Sequence, residues 1–142
     1  MKKQIIRVEP LSTYLERWKA PTSAVTRSGD TLYVSGFPPF DPDTGDVVQG
    51  ASIERQTELV LEQMKLCLQA AGSSLNNVLK CTVYCTSAGK FAAVNTIYAR
   101  YFPAEPPARS SCASRPGRGP STSRSTASPP CDSPLSIPRP TP

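Results

Sequence analysis

The composition of the chain changes abruptly near residue 110, and that break limits what can fold. From Ser110 to Pro142 there are nine Ser and eight of the chain's 16 Pro, and the only large aliphatic residues are Leu135 and Ile137. Such a segment cannot bury enough apolar surface to offset its conformational entropy, so a disordered tail is expected over 110–142. What precedes it has the size of one domain with its own core. The expected division is an N-terminal segment 1–24, an α+β domain 25–109 and the tail 110–142.

Charge follows the same division. Lys and Arg total 16 and Asp and Glu 11, a net charge of +5. The tail holds Arg115, Arg118, Arg124 and Arg139 against Asp132 alone, which leaves the body close to neutral. A near-neutral body without a basic patch interleaved with aromatics lacks the electrostatic footprint of a nucleic-acid binder. Five Cys without CxxC spacing, and no His, supply neither a metal site nor a Cys–His pair, and reduced thiols in the cytoplasm are expected. Gln4-Ile5-Ile6-Arg7 is too short for a secretory apolar core, and no later stretch approaches membrane-span length, so no membrane partner is expected.

Before the break the pattern is globular. Val25 to Arg27, the turn Ser28-Gly29-Asp30 and Thr31 to Ser35 read as a hairpin, because β-branched and aromatic residues flank a Gly-Asp turn. A second turn, Asp41-Pro42-Asp43-Thr44-Gly45, leads into Asp46-Val47-Val48. From Ser52 as N-cap, Ile53, Thr57, Val60, Leu61, Met64, Cys67, Leu68 and Ala71 form the stripe of a helix packed on a sheet, and Gly72 closes it. Val78 to Cys85 alternates Val78, Lys80, Thr82, Tyr84 against Leu79, Cys81, Val83, Cys85, as a half-buried strand does. Phe91, Val94, Tyr98 and Tyr101 mark a second amphipathic helix, stopped by Pro103, and Glu105-Pro106-Pro107 forces extended backbone up to Arg109. A further strand is needed to finish the sheet, and the sequence does not obviously supply it.

Six motifs come in one order: Tyr33-Val34-Ser35-Gly36; Asp43-Thr44-Gly45-Asp46-Val47; Ala70-Ala71-Gly72; Lys80-Cys81-Thr82-Val83-Tyr84; Phe91-Ala92-Ala93-Val94-Asn95 with Tyr98; and Pro107-Ala108-Arg109-Ser110. Together they resemble the YjgF/RidA family over about residues 25–110. The resemblance implies an α+β fold of chorismate-mutase-like type, with a mixed β-sheet and two helices on one face, assembled as homotrimers with the site between subunits. It implies hydrolysis of reactive 2-imino or enamine acids to 2-keto acids plus ammonia, with no metal and no cofactor. A small carboxylate-bearing imine is the implied substrate.

Arg109 is the residue the resemblance assigns to the substrate carboxylate. A guanidinium is a permanently charged planar fork that holds a carboxylate through two parallel hydrogen bonds. Ser35 and Gly36, at a strand end, are candidates for the other end of the substrate, and Asn95 for a hydrogen bond near the site. Each also has a plain structural reading, as a strand terminus or a polar helix residue. Cys67, Cys81 and Cys85 read most simply as small hydrophobes.

Relatives continue past the Pro-Ala-Arg motif into two closing strands, the last of which carries the carboxylate that activates water. Here Ser111-Cys112-Ala113-Ser114-Arg115-Pro116-Gly117 follows instead, and these C-terminal strands are expected to be missing. A shift of reading frame would account for the substitution, with a natural, unrelated tail as the alternative. With synonymous codons chosen freely, residues 111–129 can be reread as Phe-Val-Arg-Val-Ala-Ser-Trp-Pro-Gly-Pro-Phe-Asp-Ile-Glu-Ile-Asp-Cys-Ile-Ala, a strand, a turn and an alternating strand. The Glu of that hidden strand falls where Arg124 stands. The aromatic hydroxyl that some relatives place before the first strand is replaced by Thr22 and Ser23. Impaired deaminase activity is therefore expected. A non-catalytic small-ligand or protein-binding member is the alternative, and an endoribonuclease-type relative a more distant one.

Overall fold

The computed structural model describes residues 2–113. The tail expected over 110–142 therefore falls outside the described residues from 114 onward, together with Arg124 and Cys131.

The packed unit begins earlier than position 25. Gln4–Ile6 forms strand β1 and Leu11–Arg17 forms helix α1, elements that the sequence reading did not identify. β1 runs antiparallel to Val25–Ser28 (β2) with Ile6 opposite Val25, and β2 pairs with Thr31–Val34 (β3) in the expected hairpin, Ser28 opposite Thr31. Three residues are too few to display a strand's alternation, and α1 shows less than two turns of periodicity, so neither announces itself. Yet Val8, Leu11, Tyr14 and Leu15 are buried in the same cluster as Ala24, Val25 and Phe40.

The turn at 41–45 is built by its own side chains. Asp41 Oδ1 accepts from the backbone N–H groups of Asp43 and Thr44, at 2.9 and 3.0 Å, which holds its carboxyl below the usual range. Gly45 closes the turn at φ +70°, against the face of the Tyr14 ring. Tyr14 donates its hydroxyl to the Pro42 carbonyl at 2.8 Å, so α1 is fastened to this loop.

Helix α2, Ile53–Ala70, is capped as the sequence indicates: Ser52 Oγ accepts from the Arg55 N–H at 3.2 Å, and Gly72 takes φ +75° after the last turn. Arg27, reaching over from β2, donates to the Ala71 carbonyl at 2.6 Å and satisfies one of the acceptors left open at the helix end. The helix serves two clusters. Cys67, Ala71 and Leu66 pack with α1 and the three-stranded sheet, while Leu61 and Met64 pack against the second half of the domain. Leu59 and Gln63 are also buried, outside the expected stripe. Gln63 spans the 38–40 loop, donating to the Pro38 carbonyl and accepting from the Phe40 N–H, both at 2.9 Å.

A short 3-10 turn at Leu75–Asn77 leads to Lys80–Cys85 (β4), whose burial alternates as expected: Cys81, Val83 and Cys85 are turned inward and Lys80, Thr82 and Tyr84 outward. Helix α3, Phe91–Tyr101, buries Val94, Ile97 and Tyr98, and the last two pack with Leu61 of α2. The strand that the sequence did not obviously supply is present. Ala108–Ala113 forms β5, parallel to β4 with Lys80 opposite Ala108 and Cys85 opposite Ala113. Ser110-Ser111-Cys112 has weak intrinsic strand preference, so here pairing decides where propensity does not. Strand β5 thus runs past the compositional break at residue 110. Among the described residues the sheet exists as two pieces, β1-β2-β3 and β4-β5, with helix α2 joining their cores.

Two substitutions test this packing. Gln63→Leu strips the acceptor from the buried Phe40 N–H and should destabilise the fold by about 1–3 kcal/mol in urea unfolding. Gly45→Ala places a Cβ into the Tyr14 ring in a left-handed conformation, for a loss of about 2–4 kcal/mol.

Candidate active site

Arg109 is positioned by the parallel pairing of β5 with β4. Pro106 and Pro107 hold the entering chain extended, and the Ala108 N–H donates to the Leu79 carbonyl at 3.1 Å, which sets the register. In that register Arg109 lies opposite Cys81. Paired residues of parallel strands project to the same side, so the side chain that enters beside Cys81 is directed at the helix layer. There the Arg109 guanidinium carbon lies 4.9 Å from the centroid of the Tyr98 ring. Tyr98 is buried and leans on Phe102, their centroids 4.6 Å apart. Arg109 itself is exposed, and none of the ion pairs among the described residues involves it.

Beneath the guanidinium, the Tyr98 hydroxyl is buried without a hydrogen-bond partner among the described residues. Burial pushes this phenol well above its usual range. The nearby Cys81 thiol adds to the rise without meeting hydrogen-bond geometry, and Arg109 opposes it. Burial likewise raises Cys81, while Tyr98 and Arg109 pull the other way. The site therefore presents one cation over a floor of protonated, neutral groups. Asn95 is exposed on α3 one turn before Tyr98, so it flanks this contact.

Ser35 and Gly36 sit elsewhere in the chain, just past β3. Ser35 donates its hydroxyl to the Ser23 carbonyl at 2.6 Å and lies 3.2 Å from the Thr22 hydroxyl. Ser35, Thr22, Ser23, Tyr33 and Lys3 line a surface cavity of about 350 Å³, and neither Arg109 nor Asn95 is part of its wall. A Cβ built at Gly36 meets nothing within 4 Å, so the chain's own packing does not demand glycine there. The structure thus sets Arg109 on Tyr98, with Asn95 one helical turn earlier on α3, and Ser35 beside Thr22, with Gly36 next along the chain. Within the chain it does not join the two groups. Tyr98 and Cys81 were missed as supports of Arg109 because each reads as an ordinary inward residue of its own element. The one signal was a polar hydroxyl on a buried helix stripe.

The family model described as Endoribonuclease L-PSP matches residues 17–115. The chain belongs to the YjgF/RidA family. A RutC family protein from Pyrococcus horikoshii is 46% identical over 89 residues, 63% of this chain and 70% of that protein. A protein named 3-aminoacrylate deaminase RutC, from Acinetobacter baylyi, is 39% identical over 90 residues, 63% of this chain and 71% of its own. A Rid-family protein from Yersinia pestis, whose crystal structure is known, superposes with a TM-score of 0.70 at 33% identity, covering 80% of this chain and 86% of that one. The RidA-type α+β fold expected from the sequence is therefore established, and the family includes proteins named as deaminases. No described helix is long and apolar enough to cross a membrane, and the described residues of this RidA-family chain contain no cluster of metal-binding side chains.

The raised acids give the RidA-family chain a definite alkaline response. Cys67 is fully buried and its thiol is pushed from 9.0 up to about 11 by that burial. A folded state that keeps a proton the unfolded chain has lost is fully stable below pH 9 and loses stability as pH climbs toward 11. The urea midpoint should fall across that window, by the equivalent of about 2 kcal/mol for Cys67 alone, and Cys67→Ala should flatten part of the decline.

Proposed function

We propose that Arg109 recognises the carboxylate of a small 2-imino or enamine acid, and that the associated reaction is hydrolysis to the 2-keto acid and ammonia. The observation that carries this reading is the guanidinium seated on the Tyr98 ring without a carboxylate partner among the described residues. An unneutralised Arg at the surface of a neutral floor is built to take an anion, and bidentate pairing would fix the imine carbon relative to the protein. Water adds to that carbon, the nitrogen takes a proton, and the resulting amino alcohol collapses to the ketone as ammonia leaves. The name of the Acinetobacter baylyi relative supports a substrate that is a small acid carrying an enamine.

Catalysis in this chain is impaired in our reading. Water must lose a proton as it attacks, and the closing strand of the family supplies a carboxylate for that purpose. The sequence has Arg124 at the corresponding place, and a cation cannot accept a proton. The family-model match stops at residue 115, close to where the Ser/Pro-rich composition begins, which supports a frame shift near codon 110. Homotrimeric assembly and a cytoplasmic location belong to the same proposal, with the trimer depending on the strands that the shifted frame would restore.

Three measurements decide these points. Pyruvate, the stable keto-acid product, should bind the chain, and Arg109→Ala should weaken it on the order of 10- to 100-fold in NMR titration. Freshly generated 2-iminopropanoate should be turned over far more slowly than by an intact relative; equal rates would refute the impairment. A gene corrected to the alternative frame should yield a product that sediments as a trimer and turns over the imine, whereas a clean genomic read without an insertion or deletion relative to close relatives removes the frame-shift explanation.

A further inference from the structure

Beyond binding the carboxylate, Arg109 has to be held ready for it, and the geometry singles out what holds it. Its side chain is long, exposed and rich in rotamers, and it sits on a strand outside any ion pair among the described residues. Left alone, such a side chain samples many orientations and loses that freedom on binding. A carboxylate neighbour would fix it, but would also occupy its donors and cancel its charge. An aromatic face engages only the π surface of the guanidinium, leaving the N–H groups at its edge pointing outward.

Resting on the reading of Arg109 as the carboxylate fork, we propose that Tyr98 is its positioning residue, a buried aromatic plate that orients the guanidinium while leaving its charge and its edge donors available to substrate. The distance of 4.9 Å from guanidinium carbon to ring centroid lies within the range of such contacts. The plate is itself closely packed. Tyr98 is 7% exposed, is braced by Phe102 at 4.6 Å, and belongs to the cluster that includes Leu61, Ile97 and Cys81. The hydroxyl contributes no hydrogen bond among the described residues, so the ring face carries the function.

A tyrosine that merely fills the core and one that orients Arg109 both affect stability, and only the second is coupled to the arginine. The full-length chain is therefore examined in two ways. In proton NMR, the Arg109 side-chain δ and ε protons should be shifted upfield by the ring current of Tyr98 and return to ordinary positions in Tyr98→Leu. Absence of that shift in the parent chain overturns the proposal, whether or not Tyr98→Leu folds. For ligand binding, pyruvate is titrated into the parent, Tyr98→Leu, Tyr98→Phe, Arg109→Ala and the Tyr98→Leu/Arg109→Ala double variant.

Tyr98→Leu should weaken pyruvate on the order of 3- to 10-fold, Tyr98→Phe should restore the parent affinity because it keeps the ring, and adding Tyr98→Leu to Arg109→Ala should change nothing further. An equal loss in both backgrounds, or no loss in Tyr98→Leu with its fold intact, overturns the positioning role. If Arg109→Ala binds pyruvate as the parent does, the carboxylate reading of Arg109 fails instead, while the ring-current shift still reports whether the plate holds the cation.

Discussion

The domain depends on one helix having two buried sides. α2 contributes Cys67 and Ala71 to the cluster that holds α1 and the three-stranded sheet, and Leu61 to the cluster under α3 and β4. Among the described residues the two sheet pieces share no ladder, so their relative placement is set by what this helix packs against. A rigid rod of 18 residues can do this because interiors are close-packed and side chains on its two adjoining buried flanks cannot shift independently. Gln63 adds a polar tie on the flank that faces the first cluster, holding the 38–40 loop by both of its amide atoms. Everything that positions Arg109, from the register of β4 to the seat of Tyr98, is downstream of that helix.

The parts of the fold that were legible in the sequence are those where one physical signal dominates. The hairpin at Gly29, the cap at Ser52, the stop at Gly72 and the alternation of β4 each rest on local chemistry that does not need the rest of the chain. What could not be read was decided by partners far away in sequence. β1 has three residues and becomes a strand only because β2 offers it an edge, and β5 is poor in strand formers yet continues to Ala113 along β4. Gln63 falls outside the apolar stripe because pattern counts hydrophobic positions, not the carbonyl and N–H groups that a loop must satisfy.

Legibility of the candidate site divides in the same way. Arg109 could be named because the Pro-Ala-Arg motif is contiguous, and the structure adds that it stands opposite Cys81 on the side facing α3. Tyr98 could be placed on a buried stripe but not connected to Arg109, since the two lie on different elements and meet only through the β4–β5 register. Ser35 and Gly36 are expected to share a site with Arg109, and the chain keeps them apart, the first two just past β3 and Arg109 on β5 of the other sheet piece. Thr22, noted in the sequence only as standing where an aromatic hydroxyl was absent, turns out to lie beside Ser35 in the cavity wall.

The short contact from Ser35 to the Ser23 carbonyl gives that cavity a polarity. A serine has a single hydroxyl proton, and the carbonyl, which can only accept, claims it. Thr22 is then the donor across the 3.2 Å contact, and the small chain runs in one direction, from threonine to serine to backbone. Toward a visitor, Ser35 offers a lone pair and no hydrogen. Lys3 stands in the same wall and brings the complement, a positively charged donor, so one small cavity holds an oriented acceptor and a cation together.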